Sequence, residues 1–497
     1  MRAFAIVAAL AVAAPAAAGP LTRVGSKQFT EGVLLGEIAT QVAAAAGADA
    51  RHRAQMGGTR ILWTALVAGE IDVYPEYTGT LVEEILAGEP LPRGDLAALR
   101  RALAARGIGV VGPLGFENTY ALGMAEARAA AVGVRTISDV AAHPALRLGL
   151  SNEFLDRGDG WAGLRDRYRL PQRDVRGLQH DLAYRAVADG AVDVTDLYTT
   201  DAEIAHYRLR VLDDDLGYFP DYQAVLVYRE AWAAQAPAVV AALGHLAGAI
   251  HQDDMIALNG RARLERVPEA QVAAEFLASR LGLRAARASD GRAARLWART
   301  VEHVGLVALA LALALTAGIP LGVAAARWRR FGQVVLAAVG VLQTVPSLAL
   351  LVLMIPLLGI GGPPAVAAMF AYSLLPLVRN THAGLVGIAL PIRTSAEALG
   401  LSPSARLWRV ELPLAGPAIL AGVQTAAVLS VGTATVGALV GAGGYGQPIL
   451  TGIRLDDLGL ILEGALPAAG LAILVQALFE GVERLVVPRG LRLRADE

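Results

Sequence analysis

Hydrophobic positions along this chain follow two regimes. Up to about residue 285, short strand-like runs at 22–25, 71–74, 146–150, 192–195 and 224–228 alternate with Ala/Leu-rich segments of helical period. That alternation predicts α/β units in which helices cover a mostly parallel sheet. A region of about 265 residues exceeds one ordinary core and predicts two lobes. The expected division is 21–117 with 221–285 for the first lobe and 118–220 for the second. The chain then crosses near 118, returns near 220 and leaves a cleft where a hinge closes on a small ligand.

From about residue 300 the pattern changes to apolar stretches such as 304–326, long enough at 1.5 Å rise per residue to cross a bilayer. Five spans are expected, at 302–326, 331–358, 364–386, 414–440 and 458–482, inside a membrane domain of residues 300–490. The third is the least apolar, because Arg379 arrives after only about fourteen apolar residues. Between the third and fourth spans lies a polar amphipathic insertion, 394–422, where Gly400 permits a tight turn and Pro413 and Pro417 punctuate the return.

Arginines give this domain a direction. Arg327, Arg329 and Arg330 follow the first span, Arg379, Arg393, Arg406 and Arg409 lie at or after the end of the third, and Arg484, Arg489, Arg492 and Arg494 follow the last. The opposite loops hold only Arg454, so the C-terminus is expected in the cytoplasm and the N-terminal domain outside. The linker, 286–299, and its surroundings run against this, with Arg284, Arg287, Arg292, Arg295 and Arg299 on the outer side. Signal-led translocation of a long domain overrides the rule. Residues 1–18, with Arg2 ahead of an Ala/Val/Leu stretch and small residues at Ala16 and Ala18, read as that export signal.

Composition agrees with a two-part protein, since 55% hydrophobic and 18% charged residues are too apolar for a soluble chain and too polar for one built only of lipid-embedded helices. A net charge of −1 gives no reason to expect nucleic acid. No cysteine and eight scattered histidines offer no disulfide framework and no metal site. Lys27 is the one lysine among 44 basic residues. A P-loop needs Gly-Lys-Ser/Thr and Lys27 follows Ser26, so any ATP hydrolysis has to come from another subunit.

The segments GSKQFTEG (25–32), YPEYTGT (74–80), FENTYAL (116–122), DLYTTDAEI (196–204) and DYQAV (221–225) resemble, in order, the substrate-binding proteins of the glycine betaine/choline/carnitine class of ABC importers. The resemblance implies a two-lobed α/β domain like the periplasmic binding proteins and a quaternary ammonium ligand. A quaternary nitrogen has no N–H to donate and is held by π-faces around its diffuse charge, with desolvated contacts contributing roughly 2 kcal/mol. By the resemblance, Tyr77, Tyr120, Tyr198 and Tyr222 form the cage, with Asn118 where some relatives carry an aspartate. A betaine carboxylate takes charge-assisted hydrogen bonds, and Lys27, Thr80 and Arg157 look like that clamp, with Arg165 as the alternative to Arg157.

QTVPSLALLVLMIPLLGIG (343–361), YSLLPLVRNT (372–381) and GALVGAGGYG (437–446), with the insertion, make the second part similar to the permease subunit of the same importers. The likeness implies an all-α transmembrane domain of about five helices, with a cytoplasmic coupling loop at 387–413 that docks on an ATPase subunit. The family's acidic residue at the start of that motif aligns with Thr394, so Glu397, Ala398 and Gly400 are the expected coupling contacts. GAGGYG lacks a preceding βαβ unit and reads as a loop or small-residue packing rather than a dinucleotide site. Glu463 reads as a path-lining charge or an interfacial one.

The combined expectation is a fused receptor and permease in the cell membrane: no enzyme, no cofactor, and a homodimer working with a separate ATPase. A membrane-anchored sensory receptor is the alternative, weakened by five spans and a short tail; a secondary transporter has little use for a large exported domain.

Overall fold

The computed structural model describes residues 19–92, 94–283, 292–455 and 457–486. The expected signal, 1–18, lies outside these residues, as do Arg284, Arg287, Arg489, Arg492 and Arg494. The chain divides into two compact units: one within residues 1–287 that holds both sheets, and one that takes the helices from 288 on together with the segments 27–29 and 55–68.

Among the described residues the first unit has ten strands: β1 (Leu21–Gly25), β2 (Asp49–Arg53), β3 (Val73–Tyr77), β4 (Ile108–Val111), β5 (Tyr120–Ala125), β6 (Leu148–Ser151), β7 (Val175–Leu178), β8 (Val194–Tyr198), β9 (Leu209–Val211) and β10 (Ala224–Arg229). They form two five-stranded sheets, ordered β2-β1-β3-β10-β4 and β7-β6-β8-β5-β9. The central strands β3 and β8 are buried at every position, as expected for apolar runs covered on both faces. Helix α1 (Thr30–Ala45) packs Val33, Leu34, Ile38 and Val42 into the core.

The sheets are mixed rather than mostly parallel. β1 pairs β2 and β3 in parallel, but β10 runs antiparallel to β3 and β4. Likewise β6 pairs β7 and β8 in parallel, while β5 runs antiparallel to β8 and β9. The reason is the double crossing. β5 enters the second sheet from the first and β10 returns, so each inserts a strand of opposite direction, and each begins close to the crossing.

The second unit begins with α4 (Arg292–Arg327), so the part of the linker from residue 292 is already helical. Two shorter helices of the first unit, α2 (Asn152–Asp156) and α3 (His180–Ala188), precede it. After α4 come α5 (Arg329–Thr344), α6 (Ser347–Leu358), α7 (Gly362–Val386), α8 (Leu390–Ala398), α9 (Pro403–Arg406), a π-helical turn Leu407–Glu411, α10 (Leu412–Val436), a 3-10 turn Gly437–Val440, a short helix Gly446–Arg454 and α11 (Leu458–Val486). Val307, Ala310, Leu350, Leu351, Ala365, Met369 and Val431 share one apolar core. Gly322 approaches α7 so closely that an added Cβ would lie 2.5 Å from Thr381, the close contact that small residues permit between membrane helices.

The second expected span is not one helix. α5 and α6 meet at 100°. Val345 takes an extended conformation (φ −67°, ψ 127°) ahead of Pro346, because the proline ring excludes the helical region for the residue before it. Among the described residues three helical stretches are long and apolar enough to cross a membrane, those containing α4, α10 and α11, or four if the bent pair is one span. α7 has the length, but Arg379, Asn380 and His382 lower the apolarity of its second half.

Candidate functional site

The register of the crossing strands decides which tyrosines meet. Tyr120 opens β5 and stands directly across from Tyr198, which closes β8. In the other sheet Tyr77 closes β3 opposite Ala224, the first residue of β10, so Tyr222 just ahead of β10 lies at the same end. Gly79 makes room for Tyr222: a Cβ there would come within 2.6 Å of its ring.

Tyr120 is the centre of a ring cluster. Its centroid lies 4.9 Å from Tyr198 and 5.8 Å from Tyr222, both edge-on, 5.1 Å from Phe154 and 6.3 Å from Phe219. These are spacings at which aromatic pairs attract one another. The Tyr120 and Tyr198 hydroxyls are 3.4 Å apart. Burial pushes both phenols well above the ordinary tyrosine range, so they stay neutral.

A cation already sits against this cluster, with Arg157 Cζ 5.2 Å from the Tyr120 centroid. Arg157 is buried, donates from Nε (2.7 Å) and Nη2 (2.5 Å) to Asp159, and lies 3.3 Å from Glu84 and 3.8 Å from Glu153. Burial disfavours its charge, but Tyr120 and the Asp159 carboxylate outweigh that and hold the guanidinium protonated. Tyr222 also donates its hydroxyl to Asp159. Arg165 by contrast is half exposed and pairs with Asp166 at the surface.

Tyr77 and Asn118 converge on a buried carboxylate. The Tyr77 hydroxyl (2.6 Å) and the Asn118 amide (2.9 Å) donate to one oxygen of Glu31, while Thr200 (2.5 Å) and Asn259 (3.0 Å) donate to the other. Burial raises the Glu31 carboxyl above its ordinary range, and the hydrogen bonds from Thr200, Tyr77 and Asn259 pull against it. A carboxylate thus accepts directly from the Asn118 side chain.

His180, from α3, stacks on Tyr198 at 3.9 Å between centroids. Its Nε2 is 2.9 Å from Asp201 and its Nδ1 3.8 Å from Asp196. Burial would lower its pKa, but Asp201 and Asp196 outweigh burial and hold the imidazole well above the ordinary histidine range. Asp201 also accepts from the Tyr198 backbone N–H at 3.1 Å and from the Tyr184 hydroxyl. Asp196 accepts from the Ser151 N–H (2.5 Å) and hydroxyl (2.6 Å), and Ser151 caps α2, which carries Phe154.

All eight residues expected to touch ligand are buried, the most exposed being Tyr198 at 7%. Tyr120, Tyr198, Tyr222 and Arg157 come together, and Tyr77 joins Asn118 at Glu31. Thr80 is buried at the start of a turn whose next residues lead to Glu84. Lys27 is buried in the segment 27–29 that goes with the second unit, so its place in the clamp rests on the resemblance. Phe154, Phe219, His180, Asp159 and Glu31 were not anticipated. Phe154 and Asp159 stand in the segment that holds Arg157, Glu31 lies within GSKQFTEG, and Phe219 lies three residues ahead of Tyr222.

In the second unit Glu397, Ala398 and Gly400 are exposed, with Gly400 at φ +77° in the expected turn. Glu397 is paired with Arg406, and Thr394 is turned back on its own helix, bonding the carbonyls of Leu390 and Pro391. The GAGGYG segment is a loop, with Gly441, Gly443 and Gly444 at positive φ. Glu463 is half-buried on α11.

Comparison with known proteins follows the same division. Residues 22–279 match the substrate-binding domain of ABC-type glycine betaine transport systems, and residues 318–491 match the inner membrane component of binding-protein-dependent transport systems. An osmoprotectant import permease protein of Salmonella typhimurium is 42% identical over 198 residues, 39% of this chain and 92% of the relative. A choline transport system permease protein of Bacillus subtilis is 37% identical over 194 residues, 39% of this chain and 89% of the relative. The crystal structure of a glycine betaine/carnitine/choline ABC transporter protein aligns with TM-score 0.45 and 27% identity, covering 52% of this chain and 98% of the other.

Proposed function

Because the chain belongs to the family of substrate-binding domains of ABC-type glycine betaine transport systems, we propose that it captures a quaternary ammonium solute and passes it across the membrane. The chain joins that domain to an ABC importer permease, a membrane protein whose class works with a partnering ATPase subunit. The solute is glycine betaine, choline, carnitine or a similar trimethylated compound, bound on the outer side. Tyr77, Tyr120, Tyr198 and Tyr222 surround its nitrogen, Asn118 lies alongside, and Lys27, Thr80 and Arg157 take an anionic end when there is one.

One observation carries this reading: neutral, buried rings from both sheets gather around Tyr120, and a cation rests over its face at 5.2 Å. Such a site binds a permanent cation through the ring quadrupoles, without hydrogen bonds to the nitrogen. The protein acts by binding and conformational change, two copies pair to complete the pathway, residues 1–18 direct export, and the C-terminus lies in the cytoplasm.

Calorimetric titration of the full-length protein in detergent against glycine betaine, choline, carnitine, proline betaine and ergothioneine tests the ligand class. The decisive control is 3,3-dimethylbutan-1-ol, the uncharged isostere of choline. We expect at least tenfold weaker binding of the isostere, about 1.4 kcal/mol; equal affinity would remove the cation from the recognition.

A further inference from the structure

The loop between α7 and α10 is tied to the first membrane helix through one buried carboxylate. Glu411 ends the π-helical turn Leu407–Glu411, leads directly into α10 and is only 4% exposed. Arg327, the last residue of α4, places Nη2 3.2 Å from its Oε2 and the same nitrogen 3.3 Å from the Pro403 carbonyl of α9. Arg406 of α9 approaches Oε1 by Nε at 3.1 Å and pairs with the exposed Glu397 through its guanidinium. Arg393 of α8 lies 3.8 Å from Oε1 and bonds the Leu385 carbonyl of α7.

One carboxylate therefore gathers three cations from α4, α8 and α9, at the foot of α10. Burying such a cluster adds little net stability, because desolvation offsets the attraction, but it fixes one arrangement against others. π-helical turns inside helices recur at functional sites, and here the turn carries Glu411. Arg327 reaches the carboxylate and the carbonyl from one nitrogen, Nη2, so its removal takes both ties away together. Beyond the cluster the loop is exposed and partly apolar, with Leu399 at 80% and Trp408 at 71% exposure.

We propose that Glu411, with Arg327, Arg393 and Arg406, is the linkage that makes the loop move as one body with α4 and α10, so that displacement by the ATPase reaches those two membrane helices. Glu411 and Arg327 act as positioning residues, through the helices and loop they join. The inference rests on the transport reading above for its partner.

The test uses the full chain with its ATPase subunit in liposomes, with radiolabelled choline and glycine betaine as probes. Uptake by the parent protein checks the transport reading, so its failure would be a failure of that reading alone. In Glu411→Gln and Arg327→Met we expect co-purification of the ATPase and probe affinity within twofold of the parent, with ATP-driven uptake at least fivefold lower. Glu411→Gln/Arg327→Met should be no worse than either single variant. The chain has no native cysteine, so spin labels at Leu399→Cys and Leu313→Cys report the loop against α4 independently of any solute. Their separation should stay constant on ATP binding in the parent and change in Glu411→Gln. Unaltered uptake in both variants, uptake loss that merely follows loss of the ATPase, or label distances that respond alike with and without Glu411 would each overturn the proposal.

Discussion

Tyr198 is held from three sides: across the strand pair by Tyr120, on its face by His180, and through its backbone N–H by Asp201. Truncating it removes one wall of the proposed cage at the buried end of β8. Tyr198→Ala should weaken cationic ligands at least tenfold, about 1.4 kcal/mol in a calorimetric titration. His180 makes a separate prediction through pH. Its folded pKa is raised above 6.5 by Asp201 and Asp196 against the effect of burial, so its contribution to stability is complete below pH 6.5 and declines as pH rises toward and through the folded value. Thermal unfolding of the parent protein between pH 6 and pH 9 should show that decline, and His180→Gln should flatten it; identical pH slopes would remove His180 from the account. The four tyrosines were expected from the family resemblance, whose motifs are short local stretches of sequence. Phe219, His180 and Glu31 were not, since nothing along the chain records that they end up beside Tyr120, Tyr198 and Tyr77.

Most interior strands were legible and the edge strands obscure, while β5, buried and paired on both sides, was missed. The runs near β1, β3, β6, β8 and β10 stand out as apolar, whereas β2 reads Asp-Ala-Arg-His-Arg and carries no apolar alternation. It is an edge strand defined by its pairing with β1, a contact that composition does not encode. The same limit produced the unbroken span expected at 331–358. Length and hydropathy are right for a crossing helix, yet Pro346 turns Val345 out of the helical region, and the Tyr372 hydroxyl donates to the Val345 carbonyl that the break exposes. Pro346→Ala lifts the steric exclusion at Val345 and leaves the Tyr372 hydrogen bond to hold the break. It should lower stability by about 0.4–1 kcal/mol through the greater freedom of the unfolded chain. The shift in thermal midpoint in detergent measures this, and an unchanged or higher midpoint would contradict it.

At the scale of the whole molecule, two units with separate cores predict separable behaviour. Residues 19–283 produced alone should fold cooperatively and bind the same cationic ligand as the full chain, with dissociation constants within about threefold, roughly 0.65 kcal/mol; a larger loss would mean that the segments grouped with the membrane unit, 27–29 and 55–68, need that unit to hold their shape. By itself the sequence determined the division into a water-compatible and a lipid-compatible part, the α/β character of the first and the helical character of the second. Each follows from the hydropathy and period of neighbouring residues, which act locally. Only the tertiary structure decided which rings touch, where the buried carboxylates Glu31 and Glu411 find their donors, and that both sheets are mixed. Those depend on strand register and on contacts between positions as far apart as Tyr120 and Tyr198, 78 residues along the chain, and chain order carries no record of distance in space.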